Sequence, residues 1–160
     1  MAYRKDFRIF APTKEAMTDE RAHQTYQYQI SLPNDIETIP QLNEFIEQMA
    51  GELELDTSLT MSLNLAVEEA VVNVMQYAYP PNKTGQVDIR ISADSQALTV
   101  VVSDTGTPFD PTKQAEADTS LSAEKRPIGG LGIHLVRQIM DTVSYQYADG
   151  HNVLTLTKRY

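Results

Sequence analysis

Residues 86–104, QVDIRISADSQALTVVVSD, contain two runs that alternate apolar and polar residues on either side of a short polar connection. Gln86 to Ser92 and Ala97 to Ser103 read as a pair of half-buried strands joined across Ala93 to Gln96, with Val87, Ile89 and Ile91 facing inward beside Leu98, Val100 and Val102. A tight connection of this kind makes neighbouring strands antiparallel, whereas parallel neighbours need a crossover of a dozen or more residues. The elements on either side agree. Tyr26, Tyr28, Ile30 and Leu32 alternate in Thr25 to Leu32, and Val143 to Tyr147 and Asn152 to Lys158 flank an Asp149-Gly150 turn as a second hairpin.

Helices occupy the intervals. Ile36, Ile39, Leu42, Phe45, Ile46, Met49 and Leu53 recur at three- and four-residue steps, which predicts an amphipathic helix ending near Gly51. A second helix is predicted after an N-cap at Asp56 or Thr57, running to about Tyr79, where Pro80 and Pro81 stop it. Its buried stripe is Leu63, Val67, Ala70, Val71, Val74 and Ala78. A short helix is expected from about Gly130 to Asp141. Asp104 to Pro127 is long, polar and without periodicity, and inside a compact domain such a loop is more often a functional lid than idle linker. The order of strand, two helices, two strands, lid, helix and two strands favours an α+β fold. We expect a two-layer α/β sandwich with a mixed, mostly antiparallel sheet and helices on one face. Residues 1–24 lack sustained periodicity and read as an N-terminal extension, leaving 25–160 as one domain.

Composition excludes several functions. The chain has 160 residues, 41% of them apolar, which is enough for one cored domain. With 13 Lys and Arg against 22 Asp and Glu the formal net charge is −9, so a broad basic face for nucleic acid or an anionic membrane is not expected. No cysteine and three scattered His leave neither a thiolate nucleophile nor a zinc cluster. No stretch approaches the roughly 20 apolar residues of a membrane span, and the expected location is the cytoplasm.

Three segments could carry chemistry. In Glu69-Ala70-Val71-Val72-Asn73 the two polar side chains lie about 40° apart on one helix face, on the flank of the buried stripe. A carboxylate can take a proton from a hydroxyl or water, and an amide oxygen is a hard ligand for Mg²⁺. By itself the pair reads first as a helix's wet edge, since so short a pattern recurs by chance. Ala66 and Ser62, earlier on that flank, leave room for a ligand, while Glu68 is expected to face solvent. Asp104 continues the parity of Leu98, Val100 and Val102, so its carboxylate is expected to point to the core face. A charge there needs a partner, such as the exocyclic amine of adenine, and Gly106 would let backbone approach the ring. The alternative is an ordinary Asp turn at a strand end. Gly129-Gly130-Leu131-Gly132 precedes a helix, where backbone N–H groups and the helix dipole can meet a phosphate or simply form a hinge.

In order and spacing these segments resemble the N box, first glycine box and second glycine box of the GHKL ATPases, whose ATP-binding domain is of the Bergerat type. Within that superfamily the chain looks most like the anti-sigma-factor serine/threonine kinases, over about Thr25 to Tyr160. The resemblance implies that Asn73 binds the Mg²⁺ bridging the ATP phosphates and that Glu69 is the general base. Asp104 would bind the adenine amine with Gly106 beneath the ring, Gly130 and Gly132 would let the lid fold over the phosphates, and Thr155 matches a late-strand Thr that helps hold adenine. It also implies a protein serine kinase that phosphorylates an anti-sigma-factor antagonist, sequesters a sigma factor to regulate transcription, and forms a homodimer. The chain departs from the pattern where those kinases carry an Arg immediately before the second glycine box: Ile128-Gly129 stands there, and Arg126 lies two residues earlier. That departure keeps open an ATP-binding switch that transfers no phosphate. A detached histidine-kinase catalytic domain is a third reading, not favoured because no phospho-acceptor helix pair precedes the domain.

Overall fold

The computed structural model describes residues 24–113 and 130–160, together with the backbone of a strand at 8–10. The elements are β1 (Arg8–Phe10), β2 (Tyr26–Pro33), α1 (Ile39–Glu52), α2 (Thr57–Tyr77), β3 (Gln86–Ala93), β4 (Ala97–Asp104), α3 (Gly130–Ile139), β5 (Thr142–Ala148) and β6 (His151–Arg159). They form a six-stranded sheet in the order β1-β2-β3-β4-β6-β5. Every pairing is antiparallel, so the parallel component allowed for by a mixed sheet does not occur among the described residues. The 3-residue β1 pairs with β2 at the sheet edge, an element that the unpatterned N-terminal sequence does not announce.

The inner face of the sheet is the one the alternation assigns. Leu32, Val87, Ile89, Ile91, Leu98, Val100 and Leu156 are almost fully buried beneath the helices. Helix α1 buries Leu42, Phe45, Ile46 and Met49, and α2 buries Leu63, Val67, Ala70 and Val71. Ile36 departs from the expected stripe. It belongs to a 3-10 turn capped by Asp35, which rotates its side chain outward to 51% exposure.

The ends of α2 position the site. Asp56 caps its N-terminus by accepting from Leu59 N at 2.9 Å. At the other end Thr107 N donates to the Ala78 carbonyl at 2.7 Å, so the segment after β4 satisfies a terminal helix carbonyl. Tyr79 ties the same region together, donating from its hydroxyl to Gln86 O at 3.0 Å and accepting from Thr105 N at 3.2 Å. The β5–β6 turn has positive φ at both Asp149 (52°) and Gly150 (79°), the handedness that suits a two-residue hairpin loop.

Candidate functional site

Asp104 is the last residue of β4 and points inward, with 2% of its surface exposed. Its Oδ1 accepts from Gly106 N at 2.8 Å and from Asn152 Nδ2 at 2.9 Å. Its Oδ2 is buried without a partner. Burial pushes the carboxyl above its ordinary range, opposed by the Asn152 and Gly106 hydrogen bonds and by the nearby His151 ring. An anionic oxygen with an unfilled acceptor position, in a place water does not reach, is poised for a ligand N–H.

Asp104 lines a pocket of about 360 Å³, its open mouth included. Ala70, Asn73 and Val74 of α2, with Ala78 at its C-cap, form one wall, and Val102, Leu154 and Ile133 contribute apolar surface. Phe109 closes one side, its ring stacked on Tyr77 at 5.5 Å between centroids. A mostly apolar pocket with one buried carboxylate suits an aromatic heterocycle that carries an amino group.

Asn73 is 6% exposed and lines the same pocket, and its Nδ2 is buried without a partner. Oxygen and nitrogen of an amide exchange by a half-turn, so this group can present either a donor or a hard oxygen to the pocket. Glu69, half-buried one turn earlier, stands beside it. A Cβ built on Gly132 would lie 2.6 Å from Glu69 Oε2 and 3.2 Å from Asn73 Nδ2, so the first turn of α3 rests on the pair. Glu69, Asn73 and Gly132 thus lie together, an approach of α3 to the pair that the spacing of Glu69 and Asn73 alone does not give. Gly130 begins α3, while Gly129 and Arg126 lie outside the described residues.

Other expectations are placed differently. Gly106 is held against the end of α2, where a Cβ would come within 2.4 Å of the Ala78 carbonyl oxygen, and its backbone is not part of the pocket wall. Thr155 does not reach the pocket. Strand parity sends Asn152, Leu154 and Leu156 inward and Thr155 to the opposite face, so Leu154 takes the place expected of it. Glu68 is not simply solvated, because it accepts from Asn43 Nδ2 of α1 at 3.0 Å. Ala66 is buried in the core and the room for a ligand is made by Ala70 instead. Asn152, which lines the pocket beside Asp104, is the residue the sequence reading passed over. Its signal is its place on the inward parity of Leu154 and Leu156, where an amide needs partners.

The sequence matches the family described as "Histidine kinase-like ATPase domain" over residues 32–158. It is 28% identical over 113 residues to the serine/threonine-protein kinase BtrW of Bordetella bronchiseptica, covering 71% of this chain and 80% of that protein. It is 37% identical over 95 residues to the serine-protein kinase RsbW of Bacillus subtilis, covering 57% of this chain and 59% of the relative. The RsbW of Listeria monocytogenes is 35% identical over 96 residues, with 58% of this chain and 61% of the relative covered. The matched stretch thus spans less than two thirds of these RsbW proteins. Among solved structures, the RsbU and RsbW domains of Rv1364c from Mycobacterium tuberculosis superpose with a TM-score of 0.61 at 16% identity, covering 83% of this chain and 32% of that one, a likeness of fold.

Proposed function

The chain belongs to the histidine kinase-like ATPase domain family, and from that footing we propose that it is a Mg·ATP-dependent serine protein kinase acting as an anti-sigma factor in a partner-switching system. The observation that carries the reading is the pair of buried, unpartnered polar atoms in one pocket, Asp104 Oδ2 and Asn73 Nδ2. In this reading the adenine amine donates to Asp104 and the ring lies in the apolar pocket. The ATPase domain runs over residues 25–160, with 1–24 as its extension.

Magnesium suits the donor set. Turned over, the Asn73 amide offers one hard oxygen, and among the described residues no group of three His, Cys, Asp or Glu could hold a cation alone. Phosphate oxygens and water would complete its coordination, and a cation held there would neutralise charge on the phosphates. Glu69 stands one helical turn from Asn73 and takes the proton of the incoming serine hydroxyl as its Oγ bonds to the γ-phosphorus. The bond from phosphorus to the ADP oxygen breaks, and ADP leaves. The N-terminal turn of α3, with its backbone N–H groups, faces the same region and supports the phosphate end. Thr155 has no part.

The partners in this reading are an anti-sigma-factor antagonist as phospho-acceptor and a sigma factor as the protein sequestered. They rest on family resemblance, as do a cytoplasmic location and a homodimer. Within α2, Met75 is buried and Val72 packs against the chain's own core, which leaves Met61 and Leu65 exposed. No helix of the described residues is long and apolar enough to cross a membrane. One sequence feature favours a second reading, an ATP-binding switch without phosphoryl transfer: Ile128-Gly129 where the kinases carry Arg.

The deciding experiment incubates the protein with γ-labelled ATP, Mg²⁺ and a candidate antagonist, then maps phosphoserine. Labelled antagonist is expected. ATP binding without labelling would select the switch, and no nucleotide binding at millimolar concentration would overturn both readings.

A further inference from the structure

Recognition of a base by Asp104 depends on which oxygen is free and on whether that oxygen can only accept. Both are controlled from β6. Asn152 faces Asp104 directly across the β4–β6 ladder and is 4% exposed. Its amide uses its full capacity. Nδ2 donates to Asp104 Oδ1 at 2.9 Å and to the Thr107 carbonyl at 3.0 Å. Its Oδ1 accepts from Phe109 N at 3.0 Å and from the Tyr145 hydroxyl at 2.6 Å. Thr107 O can only accept and Phe109 N can only donate, so a turned-over amide would lose its partners on both sides. The donor edge of Asn152 is therefore locked onto Asp104.

We propose that Asn152 is a positioning residue that sets the purine specificity of the pocket. By saturating Oδ1 of Asp104 it leaves Oδ2 as an ionised, acceptor-only position, which takes a purine with an amino group at C6 and refuses one with a carbonyl there. The inference rests on the reading of Asp104 as the base-binding residue. Two effects act in the same direction. Geometrically, the Asn152 and Gly106 bonds fix the carboxylate plane so that Oδ2, not Oδ1, is the oxygen left without a partner. Electrostatically, donors to a buried carboxylate keep it charged; without the Asn152 donor the carboxyl lies nearer to protonation, and a carboxylic acid can donate to a C6 carbonyl. Asn152 also fixes the segment that carries Phe109, through both the Thr107 and Phe109 backbones, and so places the ring that covers the base. The preference is thus carried by a residue that need not touch the base amine itself.

The test is titration of the full chain with ATP, with inosine triphosphate and with purine riboside triphosphate, which lacks any C6 substituent. The wild type is expected to bind ATP most tightly and inosine triphosphate least. In Asn152→Leu, similar in size but unable to hydrogen-bond, the ATP-to-inosine ratio should fall about tenfold, the loss expected when one hydrogen bond of about 1.4 kcal/mol no longer discriminates. Purine riboside triphosphate reports any loss common to all bases, such as a displaced Phe109 ring, and the fall in the ratio is read beyond it. A purely structural role would instead weaken all three nucleotides by one common factor, and that result overturns the proposal. If Asn152→Leu does not fold, Asn152→Ser, smaller and too short to reach Asp104, is read for the same fall in the ratio, and an unchanged ratio overturns the proposal equally. Asp104→Asn separates the two levels of the argument. If it leaves the ratio unchanged, the reading of Asp104 itself fails; if it abolishes the preference while the Asn152 variants keep it, only the role of Asn152 fails.

Discussion

Gly132 lies directly against the carboxylate of Glu69: a Cβ on it would stand 2.6 Å from Oε2, and 3.2 Å from Nδ2 of Asn73. The atoms it would strike are the ends of side chains, which can move, and not backbone. Gly132→Ala is therefore expected to fold with less than about 1 kcal/mol lost, while Glu69 is displaced from Asn73. Phosphotransfer to the antagonist should fall well before ATP affinity does. Equal losses in both would show that the glycine serves the nucleotide and not the base.

Gly106 is the opposite case. Its missing Cβ would come within 2.4 Å of the Ala78 carbonyl oxygen and 2.8 Å of the Ala78 carbonyl carbon, both backbone atoms at the end of α2. Thr107 N is bonded to that same oxygen, so the segment cannot withdraw without losing a cap. Gly106→Ala should cost about 1–3 kcal/mol in urea unfolding, as overpacking does. A variant as stable as the wild type would mean that the loop has another way to sit.

Glu69→Gln keeps the shape of the side chain and removes the base. In the kinase reading it retains ATP affinity and loses phosphotransfer by roughly 10²-fold or more, the contribution of a positioned general base. Equal transfer by the two proteins would remove Glu69 from the mechanism and direct attention to Arg126.

Much of this fold can be read directly because strand alternation and helix periodicity report burial, and burial is what builds the sandwich. Val87, Ile89 and Ile91 pair with Asp104, Val102 and Val100 across β3–β4, inward parity throughout, as the spacing requires. The same logic gives Asp104 its direction and the Glu69 and Asn73 side chains a shared face. What the sequence does not carry is contact between distant segments. Gly106 is a glycine because α2 ends beneath it, and Glu68 is engaged because Asn43 of another helix arrives there. Thr155 shows how narrow the margin is: one residue along a strand changes the face, and a late-strand Thr matched by motif alone falls on the wrong one. β1 pairs with a sheet edge through backbone groups, which leave no side-chain pattern.

Tyr28 provides a test at alkaline pH. Burial and then the carboxylate of Glu52, at the end of α1, raise its phenol from 10.0 to about 12. Because the folded value is the higher one, the stabilisation is fully present below pH 10.0 and is lost as pH rises through about 12. Unfolding midpoints should drop across that window in the wild type, and Tyr28→Phe should flatten the drop. A spectrophotometric titration of Glu52→Gln should show this phenol ionising at lower pH. An unchanged titration would assign the shift to burial alone.

The carboxylate of Asp104 is predicted to cost the empty protein stability that it returns on binding ATP. Burial raises its pKa above the ordinary 3.8, so the folded state holds the proton more tightly than the unfolded one. The favourable contribution is therefore complete below pH 3.8 and is lost as pH rises through the folded value, which leaves a penalty at neutral pH. Asp104→Asn removes the charge yet keeps an oxygen to accept from Gly106 N and Asn152 Nδ2, the two bonds that hold the wild-type Oδ1. At pH 7 the nucleotide-free variant should be as stable as the wild type or more so, with the difference narrowing as pH falls. Its affinity for ATP should drop, since an amide N–H then faces the adenine amine. The two measurements belong together: a variant that is both less stable and less able to bind ATP would mean that Asp104 is chiefly a structural strap between β4 and β6, and the pocket would need another residue to read the base.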